Sequence, residues 1–352
     1  MTHIAKPKVR HPSLPKNSLG LTSRDYEGVM STLCAGCGHD SITAAIIQAV
    51  FELSIPPHRV AKLSGIGCSS KTTAYFMGQS HGFNSVHGRM PSIATGANAG
   101  NRDLIYIGVS GDGDSLSIGL GQLCHALRRN VNMLYLIENN GVYGLTKGQF
   151  SASADLGTRS KRGEENVQPP IDPVFLALTL GATFVARSFS GDKPQLVPII
   201  KAGLQHRGFA LVDVISPCVA FNDHEGSTKS YKASRERLVP LVLADYIPHA
   251  EEITASYEPG SMRSVEMHDG STVRFRKVPE SYDPTDRDAV YRYLRDLEGA
   301  GEVATGLLYV NPSSGDMHET LGTVERPLVD LTFEELCPGS GALDRIQAEL
   351  TG

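Results

Sequence analysis

Leu104-Ile105-Tyr106-Ile107-Gly108-Val109 leads through Ser110 into Gly111-Asp112-Gly113, and Val131-Asn132-Met133-Leu134-Tyr135-Leu136-Ile137 leads into Glu138-Asn139-Asn140. Residues 115–129 between them read as helix, so the whole is a strand–helix–strand unit. Right-handed crossovers make such strands parallel, and their carboxyl ends open on one edge of the sheet. Asp112 and Asn140 would meet at that edge. A carboxylate, an amide oxygen and a nearby main-chain carbonyl, Val142, suit a hard cation such as Mg²⁺. A cation there needs an anionic partner, and a bound diphosphate is the natural one.

Gly-Asp-Gly alone is common in turns, and Asn-Asn-Gly after a strand is ordinary loop chemistry. Their spacing, the flanking strands and the intervening helix change the weight of the pair, which resembles the thiamine diphosphate fingerprint.

Composition narrows the remaining choices. The chain has 352 residues, enough for one large or two modest domains, and 40% hydrophobic with 20% charged residues describes a globular protein with an ample core. A net charge of −5 gives no support for nucleic-acid binding. No apolar run is long enough for a membrane span, and the first residues lack the apolar core of a signal peptide. The cytoplasm is therefore the expected compartment. Structural disulfides are not expected there, which leaves six cysteines to explain.

Residues 1–27 carry basic residues and three prolines and read as an extended arm. From 28 to 235, helices alternate with apolar strands, the mark of a doubly wound, mostly parallel α/β sheet. Strands are expected at 60–63, 182–189 and 210–215 besides the two runs above. Asp40 and Asp192 are read as helix caps. Residues 236–352 differ in character and read as an accessory region. There, 264–275 suggests two strands around Asp269-Gly270, and Asp283 with Pro284 would open a charged helix.

Cys34-Ala35-Gly36-Cys37 stands directly before a helix, while Cys68 and Cys218 each follow a strand. Four thiolates at one edge could hold a [4Fe–4S] cluster. A thiol redox pair at 34–37 is the rival reading, and zinc would more often show two close pairs. Cys124 and Cys337 read as ordinary core cysteines. Gly36, Gly38 and His39 lie where free backbone N–H groups at a helix start favour phosphate oxygens. His87-Gly88-Arg89 precedes a second helix start, and Lys71 follows Cys68 by a tight loop. Lys71, His87 and Arg89 are thus candidates for contacts to a substrate carboxylate.

Together, Cys34-Ala-Gly-Cys37-Gly-His39, Gly65-Ile-Gly-Cys68-Ser69, His87-Gly-Arg89, Gly111-Asp-Gly-Asp114, Asn139-Asn140-Gly-Val-Tyr143-Gly-Leu-Thr-Lys147-Gly-Gln149 and Ser216-Pro-Cys218 resemble the β subunit of 2-oxoacid:ferredoxin oxidoreductases. The resemblance covers roughly residues 28–235. It implies thiamine diphosphate, Mg²⁺ and one [4Fe–4S] cluster on this subunit. On that basis Asp112, Asn140 and the Val142 carbonyl would hold the metal, and Cys34, Cys37, Cys68 and Cys218 the cluster. Cys37, Gly38, His39, Ser69, Gly111, Gly113, Asp114, Tyr143, Gly144 and Leu145 would line the coenzyme. The family often has proline at the position of Ala35, and Ser-Pro-Thr where this chain has Ser151-Ala152-Ser153. The second departure puts the loop's partner or substrate contacts in doubt.

The resemblance further implies a separate α subunit completing the thiamine site, coenzyme A as co-substrate, ferredoxin as electron acceptor, and an αβ heterodimer or its dimer. The expected reaction is oxidative decarboxylation of a 2-oxoacid, with 2-oxoglutarate preferred over pyruvate because Lys71 offers a cation for a second carboxylate. A non-oxidative thiamine enzyme subunit and a non-catalytic binding subunit are the readings from other classes.

Overall fold

The computed structural model describes residues 11–240, 262–266, 272–276, 282–337 and 339–351. Its strands in chain order are β1 (Val60–Ser64), β2 (His81–Asn84), β3 (Ile105–Gly111), β4 (Met133–Asn139), β5 (Val142–Tyr143), β6 (Gln149–Phe150), β7 (Phe184–Phe189), β8 (Phe209–Ile215), β9 (Leu238–Pro240), β10 (Met262–Glu266), β11 (Thr272–Arg276) and β12 (Val303–Val310). The helices that position the site are α1 (Gly38–Glu52), α2 (Cys68–Tyr75), α3 (Met90–Gly100), α4 (Leu120–Arg129), α5 (Pro173–Thr179), α6 (Lys193–Gln205), α7 (Tyr231–Arg237) and α8 (Arg287–Gly299).

Eight strands form one sheet in the order β2-β1-β3-β4-β8-β7-β12-β9, parallel from β2 to β7. The central strands β4 and β8 are buried at every position, which explains their continuous rather than alternating apolar runs. Two apolar clusters fill the two faces. One contains Ile42, Ile46 and Val50 of α1 with Leu196 and Ile200 of α6; the other contains Leu123 and Leu127 of α4 with Val174 and Leu178 of α5. The expected doubly wound sheet is what the chain builds.

β12 runs antiparallel to β7 and parallel to β9. Val290, Leu294 and Leu308, from α8 and β12, belong to the same core cluster as Tyr135 of β4. The C-terminal part therefore extends the sheet as well as covering it. β2 carries four exposed residues at the edge, so no apolar pattern announced it.

Several local expectations need correction. The helix expected over 115–129 is two pieces, because a π-helical turn over Asp114–Ile118, closed by Gly119 N–H to Asp114 O at 2.8 Å, precedes α4. Asp40 lies within the first turn of α1, whose cap is Cys37. Gly38 can start the helix because Ser190 and Ser216 pack so closely that a Cβ would collide with both hydroxyls. Asp286, not Asp283, caps α8, accepting the amides of Asp288 and Ala289 at 3.0 Å. Asp283 instead closes a turn on Thr285. Lys71 belongs to the first turns of α2, not to a loop. Asp192 does cap α6, accepting from Gln195. β10 and β11 pair antiparallel; Asp269-Gly270 lies outside the described residues.

Candidate active site

Two strand ends build the centre of the site. β3 and β4 pair with Gly111 opposite Glu138, which sets the turns beyond them side by side. Asp112, 1% exposed, accepts through Oδ2 from the Gly141 amide at 3.0 Å, from Ser153 Oγ at 2.6 Å and closely from Ser151 Oγ. Its Oδ1 has one long contact, the Asn140 amide at 3.5 Å. One carboxylate oxygen is thus saturated while the other keeps lone pairs to give. Asn140 Oδ1 accepts from the Val142 amide at 3.1 Å, and its main-chain oxygen is engaged by Asn222 Nδ2 at 2.7 Å. Asp112, Asn140 and Val142 line one cavity of about 70 Å³. A carboxylate oxygen, an amide oxygen and main-chain oxygens are the donor set a Mg²⁺ ion takes.

The same cavity collects His39, Cys68, Ser69 and His87 with Gly111, Gly113 and Asp114. Tyr143, Gly144 and Leu145 close its far wall. Gly113 is required here: the Tyr143 ring lies where a Cβ would stand, and the Tyr143 hydroxyl donates to Gly113 O at 3.1 Å. Asp114, expected to line the diphosphate, lies in the cavity wall and also ties a loop to the sheet. Its two oxygens accept from the Gly88 amide at 2.8 Å and from Ser110 Oγ at 3.0 Å, so it tethers the His87-Gly88 loop to β3. Cys34, Cys37, Gly38, Lys71, Arg89 and Cys218 do not line this cavity. Arg89 instead caps α3.

The cysteines gather beside it. Gly144 faces both Cys218 Sγ and Cys68 Sγ, at 3.5 and 3.6 Å from where its Cβ would be. Any side chain at 144 would cover those sulfurs. Burial raises the Cys68 thiol and the nearby Cys218 raises it further; burial likewise raises Cys218, with Cys34 adding to it. Burial and then Glu138, Cys218 and Asp40 push Cys37 up to about 12 against an amide hydrogen bond from His39. Such thiols resist ionisation unless a cationic centre compensates, as metal ligation does. Among the described residues, no three His, Cys, Asp or Glu side chains converge on a point that could hold one metal ion. A multi-iron cluster needs no such point, since its thiolates bind separate irons. Cys337 is exposed rather than in the core, and Cys124 is half-buried.

Glu138, Ser151, Ser153 and Ser216 are site residues for which the sequence suggested no role. Glu138 is fully buried, accepts from Thr72 Oγ1 at 3.1 and 3.0 Å, and lies 3.6 Å from His39 Nδ1. Burial pushes its carboxyl well above the usual range and pulls His39 down to about 4. Burial thus works against charge on both members of this contact. His39 Nδ1 also meets Ser216 Oγ at 2.7 Å. An acid ending a fully apolar strand was the available signal for Glu138. The departure at Ser151-Ala152-Ser153 proves harmless to Asp112, because both hydroxyls reach it.

A model of the thiamine pyrophosphate enzyme C-terminal TPP binding domain matches residues 65–214. The chain is 40% identical over 238 residues to the 2-oxoglutarate oxidoreductase subunit KorB of Mycobacterium tuberculosis, covering 65% of this chain and 63% of that one. It is 42% identical over 203 residues to the 2-oxoacid:ferredoxin oxidoreductase subunit beta of Saccharolobus solfataricus, covering 57% and 66%. These matches therefore span a little under two thirds of the relatives' own lengths. In structure it resembles a chain of a 2-oxoglutarate:ferredoxin oxidoreductase from Magnetococcus marinus, solved with 2-oxoglutarate, coenzyme A and succinyl-CoA bound. That likeness has a TM-score of 0.69 at 30% identity and covers 87% of this chain and 92% of the other. No helix among the described residues is long and apolar enough to cross a membrane.

Proposed function

The chain belongs to the β subunits of 2-oxoacid:ferredoxin oxidoreductases, and from that premise we propose that it catalyses coenzyme A-dependent oxidative decarboxylation of a 2-oxoacid, 2-oxoglutarate by preference, together with an α subunit and with ferredoxin as electron acceptor. One observation carries the reading: Asp112 with its free Oδ1, Asn140 and Val142 share a cavity wall with Cys68 and with Gly144, the residue that leaves Cys68 and Cys218 uncovered. A cation–diphosphate site and a thiol cluster therefore adjoin.

In this reading residues 28–235 are the cofactor-binding unit, with 1–27 an arm and 236–352 accessory. Asp112, Asn140 and the Val142 carbonyl hold Mg²⁺, and Cys34, Cys37, Cys68 and Cys218 hold a [4Fe–4S] cluster. When bound, thiamine diphosphate supplies an electron sink for loss of carbon dioxide, and a cluster accepts electrons singly. The chain's own work is positioning. Ser151, Ser153 and the Gly141 amide occupy Asp112 Oδ2 and leave Oδ1 with only the long Asn140 amide contact. Burial disfavours charge on Glu138 and His39, which works against setting a carboxylate beside an anionic cofactor. Leu145 and Ile118 add apolar side chains to the cavity lining. In this reading an α subunit completes the site.

The relatives' names favour 2-oxoglutarate, and Lys71, beside Cys68 on α2, is the cation we assign to its second carboxylate. Anaerobic co-purification with the α partner, then assay of 2-oxoacids with coenzyme A and a low-potential acceptor, tests the activity. Lys71→Ala is expected to raise KM for 2-oxoglutarate on the order of tenfold and to leave pyruvate nearly unchanged, the scale of one charge-assisted hydrogen bond. Equal changes for both substrates would remove Lys71 from that role.

A further inference from the structure

Behind Asp112 a chain of buried polar groups runs across three strands. Ser153 Oγ, 2.6 Å from Asp112 Oδ2, is also 2.9 Å from Asn139 Oδ1. Asn139 Nδ2 donates to Asp213 Oδ1 at 2.9 Å. Asp213 Oδ2 accepts from Arg187 Nε at 2.8 Å, and Nη2 of the same guanidinium donates to both oxygens of Asp172 at 2.7 Å. Asn139, Ser153, Arg187 and Asp213 are each at least nine-tenths buried. These side chains come from β4, the loop after β6, β7 and β8, so only the folded sheet brings them together.

Charge balance alone does not account for the arrangement. Asp172, gripping Arg187 with both oxygens, already neutralises it. Asp213 is a second carboxylate on the same cation, 1% exposed, and burying a surplus charge is costly. What the surplus carboxylate does is decide polarity. An ionised carboxylate only accepts, so Asn139 must turn its NH₂ to Asp213 and its oxygen to Ser153. Ser153, with a single proton, is then held between two acceptors, Asn139 Oδ1 and Asp112 Oδ2. Its share in Asp112 Oδ2, with Ser151 and Gly141, keeps that oxygen occupied and leaves Oδ1 with one long amide contact.

We infer that Asp213, fixed by Arg187, is a positioning residue for the divalent-cation site, acting on Asp112 through Asn139 and Ser153. The inference rests on the reading of Asp112 as a ligand to the metal. Partners of this kind orient the ligand that touches the metal, and their loss costs affinity rather than the capacity to bind.

The test uses the complete αβ complex, thiamine diphosphate and Mn²⁺, with free Mn²⁺ followed by EPR and folding by thermal denaturation. Asp213→Asn and Ser153→Ala are each expected to weaken Mn²⁺ binding on the order of tenfold. The double variant should be no weaker than the worse single, because both break one chain. Asp172→Asn removes an Arg187 partner but leaves the chain to Asp112 intact, so it should lower the melting temperature and leave Mn²⁺ affinity within about twofold. Normal Mn²⁺ affinity in folded Asp213→Asn, or strictly additive losses in the double variant, would overturn the inference. Should Asp213→Asn fail to fold, Ser153→Ala and Asn139→Leu carry the test: unchanged affinity in both overturns it, and weakened affinity in both supports it. A wild-type complex that takes up no Mn²⁺ defeats the metal-site reading itself, and the inference with it; only variant-specific results bear on the positioning chain alone.

Discussion

Two clusters of buried ionisable groups sit at the same edge of the sheet, and the fold keeps them in opposite ways. At the ends of β7 and β8, Arg187 is held between Asp172 and Asp213 at 2.7 and 2.8 Å. Burial works against the charge on Arg187, yet the two carboxylates outweigh it and hold it above its ordinary range. At the end of β4, Glu138 and His39 lie 3.6 Å apart, and burial raises the carboxyl and lowers the imidazole, against charge on either. Burial raises both Asp213 and Glu138, but Asp213 has the Arg187 guanidinium to favour its charged form and Glu138 has no such cation among the described residues. The difference follows from what each borders. Glu138 and His39 line the cavity in which an anionic cofactor is proposed, where a fixed carboxylate would repel it. The ion-paired cluster stands one hydrogen-bond chain further back, where charge can orient a ligand without facing it.

The sharpest way to break the comparison is Arg187→Met. It leaves Asp172 and Asp213 facing one another without their cation, and removal of one member of a buried charge cluster costs about 3–5 kcal/mol. Urea denaturation of the folded chain measures the loss. A loss under about 1 kcal/mol would mean that these groups are hydrated or protonated rather than paired.

The contrast also shows where the sequence was readable. The parallel sheet was legible because β3, β4, β7 and β8 are apolar runs punctuated by Gly, Asp or Ser at their carboxyl ends, and buried parallel strands must read so. Asp112 and Asn140 were legible for the same reason: the punctuation is the site. The Glu138–His39 cluster was not. His39 and Ser216 meet across 177 residues, and whether Glu138 ends in water or in the core depends on α1 and α2 packing over it. The loop hydroxyls of Ser151 and Ser153 reach Asp112 from 39 and 41 residues away, a contact no local pattern encodes. β12 escaped notice because its chain neighbours, α8 and residues 311–316, gave no hint that it would return to pair between β7 and β9 in a sheet begun at Val60. Helix starts failed through competition: Asp40 and Asp283 are good caps, but tertiary contacts placed the first turns elsewhere.

A smaller effect comes from Glu138→Gln. Glutamine resembles the protonated carboxyl, so the substitution leaves the folded state nearly as it was while abolishing ionisation in the unfolded one. Wild type must keep a proton on folded Glu138 that the unfolded chain releases above 4.5. Stability attributable to this group therefore falls as pH rises through that value and continues to fall until the folded carboxyl itself ionises. The variant should match wild type near pH 4.5 and gain about 1.4 kcal/mol relative to it for each further pH unit. Parallel curves for the two proteins between pH 5 and 7 would show Glu138 to be ionised in the fold.

The smallest expected effect is none, and it tests the pair as a pair. His39 is shifted from 6.5 to about 4, so between those values the unfolded chain holds a proton that folded His39 lacks, and stability from His39 rises with pH. Between 4.5 and 6.5 the unfolded pair carries one proton, on His39, and the folded pair carries one for as long as the raised Glu138 carboxyl keeps it. The proton counts are equal, and the pair contributes no slope in that window. Above 6.5 the unfolded pair carries none, and stability falls. His39→Gln should therefore expose the falling slope of Glu138 from 4.5 upward, Glu138→Gln the rising slope of His39, and the double variant should be level again. His206, also lowered to about 4 by burial, adds its own rise to every curve and cancels in the differences. Guanidinium titrations at half-unit pH steps on the four proteins measure the slopes. A wild-type difference curve, taken against the double variant, that tilts by more than about 0.5 kcal/mol per pH unit in that window would mean that the folded pair does not hold one proton throughout it.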